Sequence, residues 1–114
     1  MSLQKAVCIA LMMLTIAGAA HVKDYTVVIH HMELETLSET FEVGDVLIFD
    51  NQSDMAHNLY ITYADGSVDT LDTQAPGMTR KVTLRQAGSA KIKCWIHPII
   101  NLDLSITPNK DAAP

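Results

Sequence analysis

Three side chains of this 114-residue chain have the types and spacing to act on one metal ion: His57, Cys94 and His97. Cys94 and His97 sit in Lys93-Cys94-Trp95-Ile96-His97-Pro98, three residues apart. A thiolate and an imidazole at that spacing can both turn inward from a strand end if the loop between them is tight. Pro98 stiffens the exit of the loop by fixing its own φ and restricting His97 before it. His57 lies at the start of a strand, after a polar loop, and can bring a second imidazole to the same pole. A soft thiolate with imidazoles suits copper or zinc. Structural zinc asks for four firm ligands in a closed site, and three are evident. Copper accepts two His and one Cys in a trigonal plane with a weak fourth contact or almost none, so the donor set favours one copper ion. Taken singly, either histidine is more often a surface or hydrogen-bonded side chain than a ligand.

The elements that must position these residues read as β-structure. Tyr25–Ile29 is β-branched and aromatic, Thr40–Val43 alternates, and Val46–Phe49 is nearly continuously apolar. Asn58–Tyr63, Thr79–Leu84, Ala90–Cys94 and Leu102–Ile106 follow, separated by Gly, Pro, Asn and Asp turns. Seven or eight short strands spaced in this way predict an all-β, antiparallel Greek-key sandwich. No stretch sustains a period near 3.6, so any helix would be short, within Glu33–Glu39 or Val68–Gln74.

Residues 1–20 read as a signal peptide. Met1 to Lys5 is a polar start with one positive charge, Ala6 to Ala17 is almost wholly apolar, and Gly18-Ala19-Ala20 supplies small residues at a cleavage point. The apolar run falls short of the roughly 20 residues that span a bilayer, so no membrane span is expected after cleavage. Cys8 sits inside the run, away from a lipid-attachment position. Residues 21–114 then form one mature domain, exported to the periplasm or an equivalent compartment, with cleavage after Ala19 as the alternative. Without Lys5 the mature chain has seven Lys and Arg against thirteen Asp and Glu, a net charge of −6 with His neutral. That balance excludes nucleic acid as a partner, because phosphate neutralisation needs clustered cations. It also leaves Cys94 alone in an oxidising compartment. A single thiol there is buried and inert, bridged to another chain, or a metal ligand.

Val43-Gly44-Asp45-Val46-Leu47-Ile48-Phe49-Asp50-Asn51 resembles the Gly-Asp-x-Val-x-Phe-x-Asn stretch of the cupredoxins plastocyanin, pseudoazurin and amicyanin. Met55-Ala56-His57-Asn58 resembles their first-ligand His-Asn pair. Pro76-Gly77 and the run from Gly88 to Cys94 match the approach to their Cys ligand, and Cys94-Trp95-Ile96-His97-Pro98 is similar to the short loop of the amicyanin-like members. The resemblance covers roughly Tyr25 to Thr107. It implies a small blue-copper protein with His57, Cys94 and His97 as equatorial ligands, and Asn58 hydrogen-bonding across to the Cys94 loop. One departure stands out. The place of the axial Met is held by Ile100 at the short spacing, or by Leu102 at the longer one. Some related blue-copper centres carry an aliphatic residue there, and the lost thioether implies a raised reduction potential. Met55, Met78 and Met32 are substitute donors, as is the carbonyl of Ala56, since a backbone oxygen can serve.

Trp95, Pro98, Ile99 and Ile100 surround the second histidine. The resemblance implies an apolar patch there, through which a redox partner protein docks; packing is the competing reading for Trp95 and Ile100. The acidic stretch Asp65 to Asp72 is a solvated face, or a docking surface for a basic partner. His21, the first mature residue, would need His30 or His31 to form an amino-terminal copper brace. His30 and His31 are adjacent on a strand and so point to opposite faces.

No nucleophile–base pair, paired carboxylates or substrate pocket can be identified, so the chain reads as a monomeric electron carrier and not an enzyme. Copper delivery or sequestration is the alternative. A sandwich that binds no metal, with Cys94 inert, is the third reading.

Overall fold

The computed structural model describes residues 22–37 and 39–109. The segment expected to be a signal peptide, its expected cleavage point and His21 lie outside the described residues. Among those described there is no helix; strands β1 (Asp24–His30), β2 (Glu33–Leu34), β3 (Phe41–Glu42), β4 (Val46–Asn51), β5 (Leu59–Thr62), β6 (Val68–Thr70), β7 (Thr79–Thr83), β8 (Gly88–Cys94) and β9 (Asn101–Thr107) form two sheets. One has the order β2-β1-β4-β7 and the other β3-β9-β8-β5-β6. The sandwich expected from the turn spacing is present.

Two features were not in the sequence pattern. β1 runs parallel to β4, and β3 runs parallel to β9, where an antiparallel arrangement was expected throughout. Two-strand pairing of this kind depends on where a connection crosses between sheets, which local alternation does not encode. The segments marked for short helices hold β2 and β6 instead. Both are short edge strands, fixed by pairing with β1 and β5 and not by an apolar period of their own.

Alternation places the core. β4 buries Leu47, Phe49 and Asn51 on one face, β5 buries Leu59 and Ile61, and β8 buries Ala90, Ile92 and Cys94. Phe41, Phe49, Leu47, Leu59, Ile61 and Ile92 are among the largest fully enclosed side chains. Gly44, at φ +100, takes the turn before β4 in a conformation that L side chains rarely adopt. Its N–H donates to the Leu84 carbonyl, while the Asp45 carboxylate accepts from the N–H groups of Lys23 and Glu42. The Gly-Asp turn thus fixes where β4 starts, and two-residue alternation carries that register to Asn51 at the opposite end.

Candidate metal centre

β5 and β8 pair with Leu59 opposite Cys94. This single register brings the His57 segment against the end of β8. The Asn58 backbone N–H points at Cys94 Sγ (3.4 Å), and the Asn58 carbonyl accepts the Trp95 N–H (3.0 Å). The expectation that Asn58 ties the two segments together holds, but its backbone does so. Its side-chain amide turns the other way and donates to Thr73 Oγ1 at 2.7 Å. Residues 95–100 then form the loop between β8 and β9, closed by a hydrogen bond from the Ile100 N–H to the His97 carbonyl (3.0 Å).

The structure gathers the predicted trio. One donor atom from each of His57, Cys94 and His97 lies within 4.8 Å of the others, and they are the only such group of three His, Cys, Asp or Glu residues among those described. Cys94 Sγ is 3.8 Å from His97 Nδ1, and the two imidazole rings are 4.9 Å apart. His57 and Cys94 are buried; His97 is half-buried. Cys94 is the free cysteine of the described residues.

His57 Nδ1 is buried with no hydrogen-bond partner among the described residues. Such an orphaned polar atom costs free energy unless something uses it. Burial, with the His97 ring close by, pushes the His57 imidazole below its ordinary pKa, against a smaller opposing effect of the His31 backbone. The ring is thereby kept neutral, the form that ligates metal. A nitrogen lone pair without a partner, a buried thiol and a half-buried imidazole within one small volume fit a copper ion by their donor chemistry.

Sequence reasoning missed the residues that hold His57. Its backbone exchanges both hydrogen bonds with fully buried Gln74 (3.0 and 2.9 Å). Its Nε2 meets Ser53 Oγ at 2.9 Å, and Ser53 leans on Asn51. Asn51 appeared only as the end of a family motif, Ser53 only as part of the polar loop before His57, and Gln74 only as the end of a segment marked for a short helix. Their enclosure becomes visible once the sheets close over them.

The remaining candidates sort by position. Ile100 is buried, whereas Trp95, Ile96 and Ile99 are 62%, 51% and 74% exposed around His97. Trp95 is both surface and packing, since its ring stacks on Tyr60 at 4.1 Å. Met55 is turned into the network through its carbonyl, which accepts from Asn51 Nδ2 and lies 3.0 Å from Ser53 Oγ. Met78 Sδ accepts the Ala75 N–H at 3.3 Å. Met32 shares a groove with Ile99, Ile100 and Leu102. His30 ends β1 exposed, and His31, at φ 50, pairs with Asp54 at 3.4 Å. Neither belongs to the trio. Within the acidic stretch Asp69 is held by Arg85 and Tyr63, and Asp65 by Ser67 and Gln86, so much of its charge is engaged internally.

The two-sheet frame with a Cys-x-x-His loop at one pole is a cupredoxin-like fold. Solved structures bear out the fold: a reduced variant of amicyanin superposes with a TM-score of 0.63 at 22% identity, covering 79% of this chain and 83% of that one. A reduced Cu(I) form of another amicyanin variant gives 0.63 at 21%, covering 73% and 81%. By sequence, the chain is 42% identical over 100 residues to the methylamine utilization protein MauL of Methylorubrum extorquens, which spans 88% of each. MauL of Methylobacillus flagellatus is 35% identical over 83 residues, 67% of this chain and 53% of that protein. The chain belongs to the MauL family of methylamine utilization proteins. No family model matches it.

Proposed function

We propose that this protein is an exported one-electron carrier serving methylamine utilization, with one copper ion held by His57, Cys94 and His97. Two observations carry the reading together: one donor atom each of His57, Cys94 and His97 lies within 4.8 Å of the others, and the buried His57 Nδ1 has no hydrogen-bond partner among the described residues. Copper bound there would supply a Cu(I)/Cu(II) couple. The protein's own part is to keep the donors from moving between the two oxidation states. His57 is fixed by its backbone bridge to Gln74, and Cys94 ends a seven-residue strand paired on both sides. The Asn58 N–H directed at Sγ (3.4 Å) holds the sulfur in place from the His57 side. His97, half-buried and ringed by Trp95, Ile96, Pro98 and Ile99, supports this rim as the contact surface for a redox partner. Residues 1–20 as a signal peptide and a periplasmic mature domain from residue 21 complete the reading.

Cu(II) added to the purified mature protein tests it by visible and EPR spectra. An intense blue band with narrow hyperfine splitting is expected. Absence of binding, with Cys94 titrating as a free thiol, defeats the copper reading. A weak tetragonal signal or thiol oxidation turns it toward copper delivery or sequestration, the second reading, which draws on the aliphatic Ile100. With no thioether to favour Cu(II), the reduction potential is expected to exceed that of an Ile100→Met variant. Voltammetry of the two proteins decides this, and an equal or lower wild-type value refutes it.

A further inference from the structure

We infer that Ser53 is a positioning residue that holds the proton of the His57 ring on Nε2, so that the Nδ1 lone pair faces Cys94 and His97 before any metal arrives. Hydrogen-bond directions along the Asn51–Ser53–His57 chain carry the argument. Asn51 Nδ2 sits 2.9 Å from the Met55 carbonyl and 3.0 Å from the Gln74 carbonyl. Both oxygens only accept, so this atom is the amide nitrogen and both its hydrogens are committed. Asn51 Oδ1 is then an acceptor, and it takes the Ser53 backbone N–H (3.0 Å) and the Ser53 hydroxyl (2.6 Å). The other close oxygen, the Met55 carbonyl at 3.0 Å from Ser53 Oγ, also only accepts. A hydroxyl has one hydrogen, and the shorter contact, to Asn51 Oδ1, takes it, while the Met55 N–H donates to Oγ from 3.3 Å.

Turning that hydrogen toward His57 instead would leave two oxygens 2.6 Å apart with no proton between them. Ser53 Oγ therefore accepts from His57, and Nε2 at 2.9 Å carries the hydrogen. A neutral imidazole has one N–H, so Nδ1 keeps its lone pair. The unpartnered state of buried Nδ1 is a second, independent sign: a hydrogen there would have no acceptor. Asn51 and Ser53 are both buried, which shields the chain of bonds from exchange with solvent. Orientation of a ligand's second nitrogen by an outer partner is worth about 10–100-fold in metal affinity.

The inference rests on His57 as a ligand, but its first readout needs no metal. Long-range proton–nitrogen NMR of the metal-free mature protein, above the titration of His57, is expected to show Nε2–H. In Ser53→Ala the ring is expected to populate both tautomers, and cobalt(II) and copper affinity to fall about 10–100-fold. Ser53→Thr, which keeps the hydroxyl, restores both. An Nδ1–H ring in the wild type overturns the inference, as does a Ser53→Ala protein with unchanged tautomer and affinity. If the wild type shows Nε2–H but binds no copper, the carrier reading fails while the role of Ser53 in setting the ring stands.

Discussion

The two histidines of the trio live in opposite surroundings. His57 is fully buried, bridged through its backbone to Gln74, with its ring held by a polar chain that ends on β4. His97 is half-buried on a six-residue loop from which Trp95, Ile96 and Ile99 face outward. One side of the centre is therefore built from the frame, and the other from its rim. In the proposed carrier the difference would have a use. Rigidity on one side would limit rearrangement when charge changes, while exposure on the other would leave the centre open to a partner. The same division predicts that stability and partner contact can be altered separately.

The largest effect expected is on the frame. Phe49→Ala removes a fully buried ring from β4, two residues before Asn51, and should cost about 3–5 kcal/mol. Ile99→Ala on the rim removes a side chain that is 74% exposed and should stay within about 0.5 kcal/mol. Urea unfolding of both variants checks the contrast, and comparable losses would break it. Asn51→Ala comes next. It strips partners from the Met55 and Gln74 carbonyls and from the Ser53 N–H, all near the buried network, for a loss of about 2–3 kcal/mol. Metal affinity should fall with it, as His57 loses its support.

A smaller effect lies at the far end of β5, away from the centre. Tyr63 donates its hydroxyl to Asp69 (2.8 Å) under the Arg85 guanidinium, and burial first, then Asp69, pushes its pKa from 10.0 up to about 12. The folded state thus holds the phenol proton more tightly than the unfolded chain. The stabilisation is fully present below pH 10.0 and is lost as pH rises through about 12, a change on the order of 2 kcal/mol. Tyr63→Phe should remove this alkaline slope, and metal binding at neutral pH should not notice. A shift in copper affinity in that variant would show that the frame is less divided than its contacts suggest.

Much of the fold was legible because it is written locally. Alternation in Thr79–Leu84 and Ala90–Cys94, and turns at Gly44-Asp45 and Asp65-Gly66, place most strands to within a residue or two. The trio was legible because Cys94, His97 and Pro98 are close in sequence and their chemistry is narrow. Other features were not. The parallel pairing of β1 with β4, and the edge strands at Glu33–Leu34 and Val68–Thr70, depend on neighbours distant in sequence. Ser53 and Gln74 carry no motif, because a serine in a polar loop reads as solvated until a sheet covers it. For Asn58 the motif named the residue that ties the segments but not that its backbone, rather than its side chain, makes the bonds.

The stack of Trp95 on Tyr60 has an optical consequence. The sequence contains one tryptophan, and its indole stands in water at the rim. Its emission therefore reports on the rim and not on the core: unfolding, which moves it from water to water, should shift the emission maximum little. A docked partner, by contrast, would dry the indole and move the emission toward the blue.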